Sequence, residues 1–174
     1  AEVTLEANPD DLYGGSDARA RLEYLQISPV NRFSLGIQSF REEDLSWMNR
    51  AHDSRQAEGA LEAIHAAGFQ SFNLDLIYGI PGLNSEAWAE NLNRAFDSGA
   101  DHLSCYALTV EPRTPLAHQV RKGDSKAPDD FLTRQHFEIL SEKAEAAGFE
   151  HYEISNLALP GCRARHNSAY WTGK

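Results

Sequence analysis

The sequence predicts an α/β fold whose sheet is parallel, closed as a barrel or left open as a doubly wound sheet. Three observations carry that reading. Strand-like segments alternate with segments of 3.6-residue apolar period along the chain. Three helical stretches stop on Gly68, Gly99 and Gly148, where a residue without Cβ takes left-handed backbone at little cost. The strand exits "LEANPDD", "GIQSF", "DLIYGIPG", "LTVEPRTPL" and "EISNLALPG" are rich in Gly, Pro and isolated polar groups, whereas the helix-to-strand loops are short and plain.

The elements follow in order. Strands are expected at 2–6, 32–38, 71–78, 102–109 and 151–155. A weaker helix over 16–26 carries Leu22 and Leu25. Ala57, Leu61, Ile64 and Ala67 share a face of a helix over 54–67, with Asp53 as its N-cap. Trp88, Leu92, Ala95 and Phe96 do the same over 86–98, with Ser85 as cap. Phe137, Leu140, Ala144 and Ala147 stripe a helix over 130–147 capped by Asp129. Helices between nearly all consecutive strands imply crossover connections, which parallel strands require.

Composition narrows the function. The chain has 174 residues and reads as one domain, 1–174, long enough to bury a core. A net charge of −10, with Lys and Arg scattered, argues against nucleic acid, which needs clustered cations. No apolar run approaches the ~18 residues a membrane span needs. Cys105 and Cys162 form neither a metal-ligand cluster nor a disulfide framework, which fits a cytoplasmic protein. The chain opens directly in a strand without an initiator Met or a leader, and so reads as a fragment.

In parallel α/β folds the ligand site forms at the C-terminal ends of the strands. Glu6, Gln38, Asp75, Thr109, Glu111 and Asn156 are therefore expected to converge there. Asp75 shares a strand face with Asn73, opposite Leu74 and Leu76, and an inward carboxylate needs a partner. That partner is either a neighbouring Arg or Lys, or a ligand hydroxyl or cation. Glu6 is either a surface carboxylate or a ligand contact. Gln38 either satisfies backbone groups or binds, and Arg50 is either a solvated helix-end residue or a carboxylate clamp. His166, in "RHNSAYW", is either structural or an axial ligand for haem iron, with Tyr170 and Trp171 offering apolar faces beside it.

Together, "TLEANP", "RFSLGIQSF", "NLDLIYGIPG", "YALTVEPRTPL" and "YEISNLALPG…RHNSAYW" resemble, in order and over almost the whole chain, one family. It is the radical S-adenosylmethionine (SAM) family of oxygen-independent coproporphyrinogen III oxidases and their relatives. The final "HNSAYW" looks like the HNxxYW signature of the HemW-type haem chaperone branch. The resemblance implies a partial parallel (β/α) barrel of the radical SAM type, with the N-terminal strands and the C-terminal domain outside this chain. It implies a 4Fe–4S cluster on a cysteine triad that this chain lacks, and SAM held through Glu6, Gln38, Arg50 and Asp75. His166 becomes the candidate haem ligand, with Asn167, Tyr170 and Trp171 as its setting. The expected function is haem binding and transfer, with haem or porphyrin and haem-accepting proteins as partners. The alternative is oxidative decarboxylation of coproporphyrinogen III, an activity this fragment alone should not possess.

Overall fold

A computed structural model describes residues 1–172, without the side chains at positions 15, 16 and 170–172. The elements run β1 (Thr4–Ala7), α1 (Pro9–Leu12), α2 (Gly15–Gln26), β2 (Arg32–Gln38), α3 (Glu42–Trp47), α4 (Ser54–Ala66) and β3 (Phe72–Tyr78). They continue with α5 (Ser85–Asp97), β4 (His102–Ala107), α6 (Pro115–Lys122), α7 (Asp130–Ala146), β5 (Glu150–His151), β6 (Asn156–Ala158) and α8 (Arg165–Thr172). One sheet has the order β1-β2-β3-β4-β6-β5. The first four strands are parallel, as expected.

Alternation sorts the sheet into two chemically different faces. Phe33, Leu35, Phe72, Leu74, Leu76, Leu103 and Leu157 are fully buried in the hydrophobic core with Ile64, Trp88, Leu92 and Leu140 of the helices. The opposite face carries Glu6, Ser34, Asn73, Asp75, His102 and Ser104, which stand side by side because Glu6 pairs with Ser34, Ser34 with Asn73, and Asp75 with Ser104. A sheet with helices on one face and a polar layer on the other is the wall of a barrel seen from within.

Gly68, Gly99 and Gly148 take positive φ as the sequence predicts. Asp53 caps α4 by accepting from the Gln56 N–H at 2.7 Å, and Asp129 caps α7 by accepting from Leu132 N–H at 2.9 Å. Three expectations need correction. Asn84, not Ser85, caps α5, accepting from Ala87 N–H at 2.8 Å. The inward stripe of α7 is His136, Leu140 and Ala144; Phe137 is 37% exposed, packed against the His151 ring, and Ala147 is exposed. His136 takes the core position because its Nδ1 accepts the Gly79 N–H at 3.1 Å.

The third correction concerns 151–155, which is not one parallel strand. Residues 152–155 turn, and the chain forms a short hairpin whose second strand, β6, runs antiparallel to β4. Glu153 builds the turn: its carboxylate accepts from Ser155 N–H at 3.0 Å and from the Asn156 amide. A local side-chain acceptor for backbone N–H competes with strand formation.

Gly79 yields a prediction. Its φ is +76°, and a Cβ there would lie 2.6 Å from Thr133 Oγ1 on α7. Gly79→Ala is expected to lower stability by about 1–3 kcal/mol, from left-handed strain plus the clash. Denaturant melts would show it, and Thr133→Ala in the same chain should recover only the clash share. A Gly79→Ala protein as stable as the parent would refute this account.

Candidate functional site

The polar face of the sheet forms a cleft of about 880 Å³. At its centre Asn73 donates through Nδ2 to Asp75 Oδ1 at 2.6 Å and to Ser34 Oγ at 2.7 Å. The Ser34 hydroxyl in turn lies 3.3 Å from Asp75 Oδ2, to which it donates. Burial raises the Asp75 carboxyl above its ordinary range, and hydrogen bonds from Asn73 and Ser34, with the Ser104 hydroxyl nearby, work against that rise.

These contacts fix directions further out. With both Asn73 N–H groups spent, its Oδ1 must accept, and it does so from His102 Nδ1 at 2.6 Å. His102 Nε2 is then the lone-pair nitrogen and accepts from the Tyr152 hydroxyl at 2.7 Å. Burial holds the His102 pKa down to about 3, helped by the positive charge of Arg32, so the ring is neutral. The Tyr152 oxygen accepts from the Asn167 side chain and the Ala164 N–H, which oppose the upward push of burial on its phenol. Every donor in this row points the same way, from α8 through Tyr152, His102 and Asn73 to the Asp75 carboxyl. Aligned hydrogen bonds polarise one another, and the row ties the first turn of α8 to the middle of β3.

The cleft brings together four of the residues singled out in the sequence: Glu6, Asp75, His166 and Asn167 all line it. Asn156 joins through its Oδ1, which accepts from Ser104 Oγ at 2.7 Å. The expected convergence at the strand C-termini is otherwise incomplete. Gln38 ends β2 in left-handed backbone with φ 67°, and its Nε2 lies over Gly36, where a Cβ would sit 2.8 Å from it. Arg50 is exposed in the loop after α3, and Thr109 and Glu111 are exposed in the loop after β4. The side chains of Tyr170 and Trp171 lie outside the described residues.

The "RHNSAYW" helix also enters from an unexpected side. Its Arg165 N–H donates to Glu2, just before β1, at 2.9 Å. Its cleft neighbours Arg32 and His102 are the first residues of β2 and β4. The helix therefore closes the end of the sheet where strands begin, opposite the loops that resemblance assigns to SAM. Arg32, His102 and Tyr152 were missed in the sequence. Inward parity with Asn73 and Asp75 was available for His102 only once strand register was known.

No group of three or more His, Cys, Asp or Glu among the described residues could hold a metal ion. Cys105 and Cys162 are free, and burial pushes both thiols up, away from the thiolate that binds metal. The residues present therefore do not fit an iron–sulfur cluster. They do offer carboxylates, at Glu6 and Asp75, to an ammonium or to ribose hydroxyls. No helix among the described residues is long and apolar enough to cross a membrane.

Residues 1–95 match the family model described as the Radical SAM superfamily. The chain is 42% identical over 174 residues to a protein of Mycobacterium tuberculosis named Heme chaperone HemW, covering 99% of this chain and 43% of that protein. It is 34% identical to the Bacillus subtilis protein of the same name, covering 100% of this chain and 45% of the relative. Among solved structures it resembles the coproporphyrinogen III oxidase (HemN) of Escherichia coli, a radical SAM enzyme, with a TM-score of 0.78 and 26% identity. That likeness covers 99% of this chain and 38% of the oxidase. The chain thus spans less than half the length of each of these relatives.

Proposed function

The chain belongs to the radical SAM superfamily, and from that premise we propose that it serves a haem-binding protein that passes haem on. The observation that carries this reading is the placement of His166 and Asn167 on one wall of a cleft whose other wall is the polar face of the barrel. The match to proteins named Heme chaperone HemW supports it. A neutral imidazole supplies a lone pair to haem iron, and the Tyr152–Asn167 contact fixes the turn of helix that carries His166. Tyr170 and Trp171 stand in the same helix and complete the proposed haem motif. Haem-accepting proteins would then be the partners. A cytoplasmic site of action agrees with two unpaired cysteines.

SAM belongs, in this proposal, to the C-terminal ends of the strands, away from α8. Glu6 and Asp75 supply carboxylates, Gln38 an amide beside the bare Gly36, and Arg50 an exposed guanidinium. When bound with its cluster, SAM supplies radical chemistry in this superfamily. The residues of this chain would bind and orient it, and hold no cluster themselves.

Haem titration of the full-length protein tests the reading. His166→Ala should abolish or shift the Soret band of the complex while far-UV circular dichroism is unchanged. Identical spectra for parent and variant would remove His166 as a ligand and return the helix to a structural role. Coproporphyrinogen III turnover would then be the assay for the oxidase alternative, which the likeness in fold keeps in view.

A further inference from the structure

Arg32 opens β2 and is only 5% exposed. Its Nη1 donates to the Cys162 carbonyl at 3.3 Å and reaches Ser71 Oγ at 3.5 Å. Its Nη2 is buried without a hydrogen-bond partner. Among the described residues no carboxylate lies within ion-pair distance of it. Its charge acts on His102, Tyr152 and Cys162, none of which supplies an anion to pair with it. A guanidinium cannot shed its proton to escape burial, and a buried unpaired cation is among the costliest arrangements a fold can hold.

The surroundings say what would complete it. Arg32 lines the main cleft and a side recess of about 240 Å³, and both voids also touch Ala1, Glu2 and Arg165. The cation thus stands where the cleft holding His166 opens into a pocket the size of a small side arm. Glu2, Glu6 and Asp75 already give the cleft three acidic groups against Arg32 and Arg165. A dianionic phosphate would meet that field badly, whereas a singly charged, planar carboxylate suits a guanidinium.

We propose that Arg32 anchors a carboxylate arm of the ligand that fills the cleft, with the arm seated in the side recess. The identity of that ligand as haem, whose periphery carries propionate carboxylates, rests on the proposed function. The carboxylate site itself rests on Arg32.

Two arms in the full-length protein separate these. In the first, sodium benzoate is compared with sodium chloride at equal ionic strength, reading the thermal midpoint. Benzoate should raise the midpoint of the parent and leave Arg32→Gln unmoved, and Arg32→Lys, which keeps the charge, should retain part of the response. Without ligand, Arg32→Gln should fold at least as well as the parent, because it removes an unpaired buried charge. In the second arm, haem and haem dimethyl ester are titrated and followed by Soret absorbance. The parent should prefer free haem by about tenfold, one charge-assisted hydrogen bond. Arg32→Gln should bind both forms with the affinity of the ester. If benzoate moves parent and variant alike, or neither, the carboxylate site is refuted. If the parent binds acid and ester equally, Arg32 does not anchor haem and the inference is overturned for that ligand. A benzoate response confined to the parent, with no Soret change at all, would uphold the carboxylate site and sink the haem reading alone.

Discussion

Replacing Trp88 by Ala is expected to cost about 3–5 kcal/mol of stability, the range for removing a large aromatic from a core that cannot collapse. Trp88 is fully buried on α5 and tilts against Tyr78, at 5.6 Å between ring centres, and His136, at 6.0 Å. Its Nε1 donates to the His136 carbonyl at 2.9 Å. One side chain thus joins the end of β3, α5 and α7, so its loss opens a cavity beneath two helices at once. Trp88→Phe separates the terms: it keeps most of the packing and forfeits the indole donor, for an expected loss of about 1–2 kcal/mol. Urea unfolding of both variants measures the two losses. A Trp88→Ala protein within about 1 kcal/mol of the parent would mean that α5 and α7 repack freely.

Much of this architecture could be read in the sequence because it rests on local signals. Gly68, Gly99 and Gly148 announce helix ends through backbone sterics alone. The stripe through Trp88, Leu92 and Ala95 names its own inward face. Asp75 was legible too, since a carboxylate inside an apolar strand demands partners. What those partners are was not legible. Ser34 lies 41 residues away and Tyr152 50 residues from His102, so only strand register brings them together. The same limit hid α8's position: a sequence rule places ligand loops at strand C-termini, whereas the Arg165–Glu2 contact holds this helix at the other end. The segment 151–155 misled for a different reason. "HYEIS" alternates like a strand, but the Glu153 carboxylate satisfies the backbone locally and turns the chain. Arg32 escaped notice because a cation at the start of a strand reads as solvated until its burial is known.

Acid should weaken the fold through His102, and the sign follows from its protonation in the two states. Unfolded histidine binds a proton near pH 6.5, whereas folded His102 does so only near about 3. Between those values the unfolded chain holds the extra proton. The stability this group confers is present above pH 6.5 and drains as pH falls toward its folded value. From pH 7 to 5 the loss is on the order of 2 kcal/mol, and His136, lowered to about 4 by burial, adds a similar amount. Asp75 works the other way: its raised carboxyl favours the folded state at low pH, and that contribution fades as pH rises through its folded value. His102→Gln isolates the imidazole, because a glutamine offers both a donor to Asn73 Oδ1 and an acceptor to the Tyr152 hydroxyl. The variant's stability curve between pH 7 and 5 should be flatter than the parent's by about 2 kcal/mol. Parallel curves would show that His102 titrates normally and is not the neutral link described. Tyr152→Phe makes the complementary cut. It leaves the imidazole and its acid sensitivity in place, but strips Nε2 and Asn167 of their common partner, at about 1–3 kcal/mol for the buried acceptor left unmatched. If the row of hydrogen bonds holds α8 in register, Tyr152→Phe should weaken the proposed haem binding at pH 7 as well, whereas His102→Gln, which preserves the row, should not.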